Sequence, residues 1–111
     1  MSETSIRGGL APVFAALGDP TRLSILTILS REGPHSIAAL SAHGAITRQA
    51  VTKHLQVLER AGLVRSARAG RESRFAAQPQ QLGAAKAYID AVSAQWNDAL
   101  ARLEAHLERE V

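Results

Sequence analysis

ITRQAVTKHLQVLERAGLV, residues Ile46 to Val64, is a helix with two different sides. At about 100° per residue, Val51, Leu55 and Leu58 fall within roughly 40° of one line, with Ala50, Val57 and Ala61 on one shoulder. Arg48, Gln49, Thr52, Lys53, Gln56, Glu59 and Arg60 fill the opposite arc without an apolar interruption. Thr47 is a residue type that caps helix N-termini, and Ile46 stands at hydrophobic-staple spacing from Val51. Gly62 closes the helix. The long polar arms gather at its N-terminal end, where the helix dipole favours phosphate.

Working backwards, Ser36 caps a short helix that turns Ile37 and Leu40 inward and stops at His43-Gly44, with the glycine in the left-handed position. Before it, Asp19-Pro20 opens a helix that buries Leu23, Leu26 and Ile28-Leu29 and ends at Gly33-Pro34. Leu10 to Leu17 forms a first short helix that starts near Pro12 and breaks at Gly18. Working forwards, Leu63 to Arg68 and Arg71 to Ala76 flank Ala69-Gly70 as a β-hairpin, anchored by Val64 and Phe75. The fold class is mainly α with a small β-hairpin.

Short helix, turn, capped helix and basic hairpin, in that order, is the winged helix-turn-helix arrangement, whose second helix enters the DNA major groove. Arg48 and Gln49 are the types that pair with guanine and adenine through two bonds each. Thr47, Thr52 and Lys53 suit phosphates, which position a protein without reading sequence. Arg68, Arg71 and Arg74 on the hairpin reach the adjacent backbone or minor groove as a wing. His54 falls at the edge of the apolar arc. It is expected to be packed, with one ring nitrogen reaching a backbone or phosphate group, and to serve as a secondary DNA contact.

From Pro79 a long helix begins. Leu82, Ala85, Ile89, Val92, Trp96, Leu100, Leu103 and Leu107 are spaced 3, 4, 3, 4, 4, 3 and 4 residues apart, close to a heptad seam. A helix of roughly 28 residues is about 42 Å long, more than a domain of this size covers. A second copy is expected to cover the rest, with Leu82, Ile89, Val92, Trp96, Leu100 and Leu103 in the interface and Trp96 as its anchor. The chain thus divides into a winged-helix core, 10–77, and a dimerisation helix, 79–110, within one domain spanning 1–111.

Composition agrees with a folded domain: 111 residues, 46% of them hydrophobic, and no cysteine. Disulfides, thiolate metal sites and thiol redox chemistry are therefore excluded. No apolar run reaches the roughly 18 residues of a membrane span. MSETSIRGGL lacks the layout of a signal peptide, so a cytoplasmic protein without membrane association is expected. The net charge of +3 is unevenly spread. Arg48 to Arg74 holds seven basic and two acidic residues, whereas the remainder holds six basic and eight acidic. A basic middle points to a local anionic partner. Four aromatic residues in all give no stacking platform for single-stranded RNA. No nucleophile elbow, HExxH or Gly-rich phosphate loop is present, so neither an enzyme nor a cofactor is expected. The competing class is a protein-interaction module on the same fold, which the unbroken polar arc disfavours.

FAALGDPTRLSILTIL at Phe14 to Leu29 and AVTKHLQVLERAGLVRSARAGRESRF at Ala50 to Phe75 together resemble the ArsR-type family of bacterial winged-helix repressors. Asp19-Pro20-Thr21-Arg22, Lys53-His54-Leu55 and LERAGLV at Leu58 to Val64 carry the resemblance most clearly. It implies a homodimer joined through the first and last helices, seated on an inverted-repeat operator and repressing transcription, with autoregulation of a small operon. It implies the same contacts on the recognition helix and wing. Many members of this family release DNA on binding a metal, and here the sequence departs. The segment that carries a cysteine pair in some members reads SIAALSAHG. Asp90 is followed by Ala91-Val92 rather than by a histidine two residues on. His106 with Glu110 offers at most half a site across a dimer, short of the three or four ligands zinc prefers. No metal is expected.

Overall fold

The computed structural model describes residues 3–110, with side chains from residue 9 onward. The leader-free reading of MSETSIRGGL falls partly on residues 1 and 2, outside the described residues. The chain runs α1 (Glu3–Leu17), α2 (Pro20–Glu32), β1 (His35–Ser36), α3 (Ile37–Gly44), α4 (Arg48–Arg60), β2 (Val64–Ala69), β3 (Glu72–Ala77) and α5 (Pro79–Glu110). The strands form one antiparallel sheet in the order β1-β3-β2.

The three caps expected from sequence are all made. Asp19 Oδ2 accepts from Arg22 N at 3.0 Å, Ser36 Oγ from Ala39 N at 3.1 Å and Thr47 Oγ1 from Ala50 N at 3.1 Å. Each satisfies an N–H that the first helical turn leaves without a partner.

Four local expectations need correction. First, α1 does not start near Pro12 but runs through it from Glu3. Pro12 lies on the exposed side, and the buried neighbours Val13 and Ala16 hold the turn that the missing N–H weakens. Second, α2 buries Ile25, Leu26 and Leu29, while Leu23 stays 46% exposed. The run LSILTIL is apolar nearly all round, so periodicity alone could not choose its inner side. Third, the left-handed residue after α3 is Ala45, at φ 53°, and not Gly44. A Cβ on Gly44 would lie 3.2 Å from Ile46 Cδ1, so the glycine serves close packing rather than a left-handed angle. Fourth, each hairpin strand lies one residue later than expected. Gly70, at φ 67°, is the first of the two turn residues Gly70-Arg71, the position that one of the two favoured hairpin turns reserves for glycine. The two-residue β1 is too short to show alternation in the sequence. It pairs His35 with Phe75 and Ser36 with Arg74.

The core joins Val13 and Ala16 of α1, the inner residues of α2, Leu40 of α3, and Val51, Leu55 and Leu58 of α4. Leu63 and Val64 close it below the hairpin. From α5 only Ala85 is buried, with Leu82 packed on the same core and Tyr88 tilted against Phe14 at 5.8 Å between ring centroids. Beyond that point α5 leaves the body. It has 32 residues, longer than expected and about 48 Å at 1.5 Å per residue. The chain accordingly measures 69 × 33 × 20 Å.

Candidate nucleic-acid interface

The turn from α3 into α4 takes three residues, Ala45 to Thr47. Ile46 N donates to Ser41 O at 3.2 Å, and Ser41 Oγ donates to Ile46 O. These reciprocal bonds fix the angle between the helices. With Val51, Leu55 and Leu58 fully buried, α4 cannot roll without exposing the core, so its outward face is set by its inward one.

That outward face presents Arg48, Gln49 and Lys53, all exposed, in the first two turns. Among the described residues no carboxylate stands within ion-pairing distance of Arg48 or Lys53. Thr47 and Thr52 differ in what they have left to offer. Thr47 Oγ1 accepts the cap bond, so its hydroxyl proton is free for a phosphate. Thr52 Oγ1 already donates to Arg48 O at 2.8 Å, so phosphate donation requires it to break a bond in its own helix. Its oxygen remains an acceptor.

The wing does not keep its arginines on one face. Residues paired across antiparallel strands share a side of the sheet, and sides alternate along each strand. Arg68 pairs with Ser73 and lies on the side of Val64, Ser66 and Phe75. Ser66 Oγ donates to Glu59 Oε2 at 3.1 Å, which places that side against the end of α4. Arg74 pairs with Ala67 and shares the opposite side with Arg65. Arg74 also meets Glu72, with Nε 3.6 Å from Oε2. Arg71 occupies the exposed tip. Arg65, the fourth arginine of the hairpin, is not among the site residues expected from the sequence, although alternation from the inward Val64 places it on the same side as Arg74.

His54 turns away from the polar face. Its Nδ1 lies 3.3 Å from Arg22 Nη1 and 3.9 Å from Asp19 Oδ2. The packed ring expected from the sequence is therefore present, but its partners are side chains of the α1–α2 corner. Arg22 was not expected to matter. Its Nε donates to Ala16 O at 2.8 Å and its Nη2 to Ala15 O at 3.3 Å, placing a cation on the negative end of α1. The Arg22 backbone N–H holds the Asp19 carboxyl below its ordinary value of 3.8; partial burial opposes this, and the Arg22 and His54 side chains reinforce it. Three helices thus meet at one guanidinium. The sequence signals were its place in the run Asp19-Pro20-Thr21-Arg22, which carries the family resemblance, and its position three residues after the Asp19 cap.

On α5, Ile89, Leu100, Leu103 and Leu107 are about half exposed and Trp96 is 66% exposed. Val92 is half-buried, and Leu82 faces the chain's own core. His106 Nε2 lies 3.2 Å from Glu110 Oε1. Among the described residues no three His, Asp or Glu side chains converge to hold a metal. No single helix among them is long and apolar enough to cross a membrane.

Comparison with known proteins matches this geometry. Residues 17–67 fit a helix-turn-helix domain family. An HTH-type transcriptional regulator of Bacillus subtilis, itself uncharacterised, is 43% identical over 72 residues, covering 60% of this chain and 78% of that protein. The structure of an ArsR-like transcriptional regulator from Rhodococcus sp. RHA1 superposes with a TM-score of 0.78 at 38% identity, covering 87% of this chain and 91% of that one. The solution structure of a homodimeric winged helix-turn-helix DNA-binding domain from Mycobacterium bovis shares the fold, with a TM-score of 0.68 at 22% identity over 89% of this chain and 93% of that one. The Bacillus and Rhodococcus relatives are regulators of transcription, not enzymes. The matched domain, the sequence identities and the superposition agree, and the chain belongs to the ArsR-type family of winged helix-turn-helix DNA-binding transcriptional regulators.

Proposed function

We propose that the protein is a homodimeric repressor that binds an inverted-repeat operator, including one at its own gene, in the cytoplasm and without a cofactor. The whole chain acts as one winged-helix unit whose last helix joins two copies. The observation that carries this is the pairing of two exposed surfaces of opposite kind. The start of α4 offers uncompensated cations and amides to DNA, and the far half of α5 offers an apolar seam to a second copy. Arg48 and Gln49 read base edges; Thr47 and Lys53 hold phosphates, and Thr52 accepts from a base or donates after releasing Arg48 O. Arg68 and Arg71 extend the contact along the backbone, with Arg74 released from Glu72. His54 acts from behind, by holding α4 to the α1–α2 corner. The homodimeric fold neighbour supports the two-copy arrangement.

The test is a fluorescence-anisotropy titration of the full chain on the duplex upstream of its own gene, with excess scrambled duplex as competitor. Tight binding that survives the competitor, at two protomers per site, is the expected result. Binding abolished by the competitor, together with a monomer in sedimentation, would overturn the proposal in favour of a protein-interaction module.

A further inference from the structure

A second concave surface lies away from both the N-terminal polar residues of α4 and the α5 seam. It runs between the C-terminal half of α1 and the C-terminal half of α4, with a volume of about 370 Å³, inside the roughly 300–1,000 Å³ range of small-molecule sites. The groove exists because its walls are small: Ala15 and Ala16 from one helix face Val57 and Ala61 from the other. Ala16 and Ala61 are buried and form the floor. Pro12 and two guanidiniums, Arg22 and Arg60, complete the lining.

Both arginines keep donors in reserve. A guanidinium has five N–H groups. Arg22 directs one to Ala16 O, one to Ala15 O and one towards His54 Nδ1, which leaves two. Arg60 uses Nε on Gln56 O at 3.3 Å and keeps both Nη groups. Arg22 already balances Asp19. Arg60 has no carboxylate within ion-pairing distance among the described residues, so it supplies the uncompensated charge. An apolar trough with spare guanidinium donors matches one ligand chemistry: an apolar body ending in a planar anion that takes two N–H bonds.

We infer that the groove between α1 and α4 binds a small amphipathic carboxylate. Such a ligand lies on Ala16 and Ala61 and places its carboxylate between Arg22 and Arg60. It touches α1 and the recognition helix at once, and through Arg22 it reaches the group that holds His54. An effector bound there changes DNA affinity by the same factor by which DNA changes the effector's affinity. That consequence rests on the DNA-binding proposal, whereas the ligand site itself does not.

The experiment therefore contains no DNA. Sodium 2-naphthoate and its neutral counterpart 2-naphthamide are titrated with the full chain, following naphthalene fluorescence anisotropy. Saturable binding is expected, with naphthoate favoured about tenfold, the scale of one charge-assisted bidentate contact. Arg60→Gln removes that preference and leaves naphthamide binding unchanged. Ala15→Leu, at an exposed position, fills the trough and abolishes binding of both compounds, with an unchanged melting curve as the folding control. Equal affinity for the two compounds, a preference that survives Arg60→Gln, binding that survives Ala15→Leu, or no saturable binding at all would each overturn the inference. None of these results bears on the operator titration, so the two proposals fail separately.

Discussion

Helices α4 and α5 are both amphipathic, yet they finish their apolar stripes in different places. In α4 the stripe of Val51, Leu55 and Leu58 is buried entirely by the same chain. What α4 leaves outside is polar and charged. In α5 the stripe is met by its own chain only near Leu82 and Ala85, and what it leaves outside is Ile89, Trp96, Leu100, Leu103 and Leu107. The same periodic signal therefore means core in one helix and an unfinished interface in the other. Length separates the two cases. The 13 residues of α4 fit across the body, whereas the 32 of α5 overrun it.

The contrast is sharpest at Leu55. Leu55→Ala should destabilise the fold by about 2–5 kcal/mol, through lost transfer energy and a residual cavity. The loss in a denaturant melt should be the same at every protein concentration, because nothing outside the chain touches that residue. Next comes Trp96→Ala. It should weaken self-association by about 2 kcal/mol, roughly thirtyfold in dissociation constant, as read by sedimentation. Unlike Leu55→Ala, it should leave a dilute sample's stability unchanged. A loss that is equal at all concentrations would mean that Trp96 is covered within its own chain, and the contrast would disappear.

On the polar side of α4, Gln49→Ala should reduce discrimination between operator and random duplex by about 1–3 kcal/mol. Arg71→Ala should weaken both complexes alike and lower the salt slope by roughly one. Proportional losses in both variants would remove the division between base-reading and phosphate-holding residues. The smallest effect belongs to Asp19→Asn, which keeps a good cap but removes the charge. Because the folded Asp19 carboxyl is held below 3.8, its charge stabilises the fold above that pH, and the benefit is lost as pH falls through the folded value. Wild type and Asp19→Asn should therefore differ at neutral pH and converge in acid, followed by thermal melts across that range.

Much of this was legible in the sequence because it depended on local rules. The caps at Asp19, Ser36 and Thr47, the two sides of α4 and the overlong α5 each follow from spacing along one element. What escaped depended on contacts between elements. Leu23 and Ile25 are equally apolar, and only the neighbours packed on α2 separate them. Ala45 takes the left-handed angle, and Gly44 instead leaves room for the Ile46 side chain that packs over it. Arg74 faces Ala67 rather than Arg65 across the wing because the turn sits one residue later than the strand pattern indicated. Arg22 is the largest omission. Its donors go to Ala15, Ala16 and His54, and a map of one helix at a time cannot show a residue whose work lies between three.

That corner also has a consequence for spacing. A guanidinium bound to the end of α1 and facing α4 leaves little play between α4 and α1, the helix on which α5 is seated through Phe14 and Tyr88. In the proposed dimer, the distance between the two recognition helices then behaves as a fixed gauge. DNA turns once in about 10–10.5 base pairs, so a half-turn insertion between half-sites presents the second one on the far side of the duplex. A rigid gauge cannot follow it, whatever the strength of each separate contact.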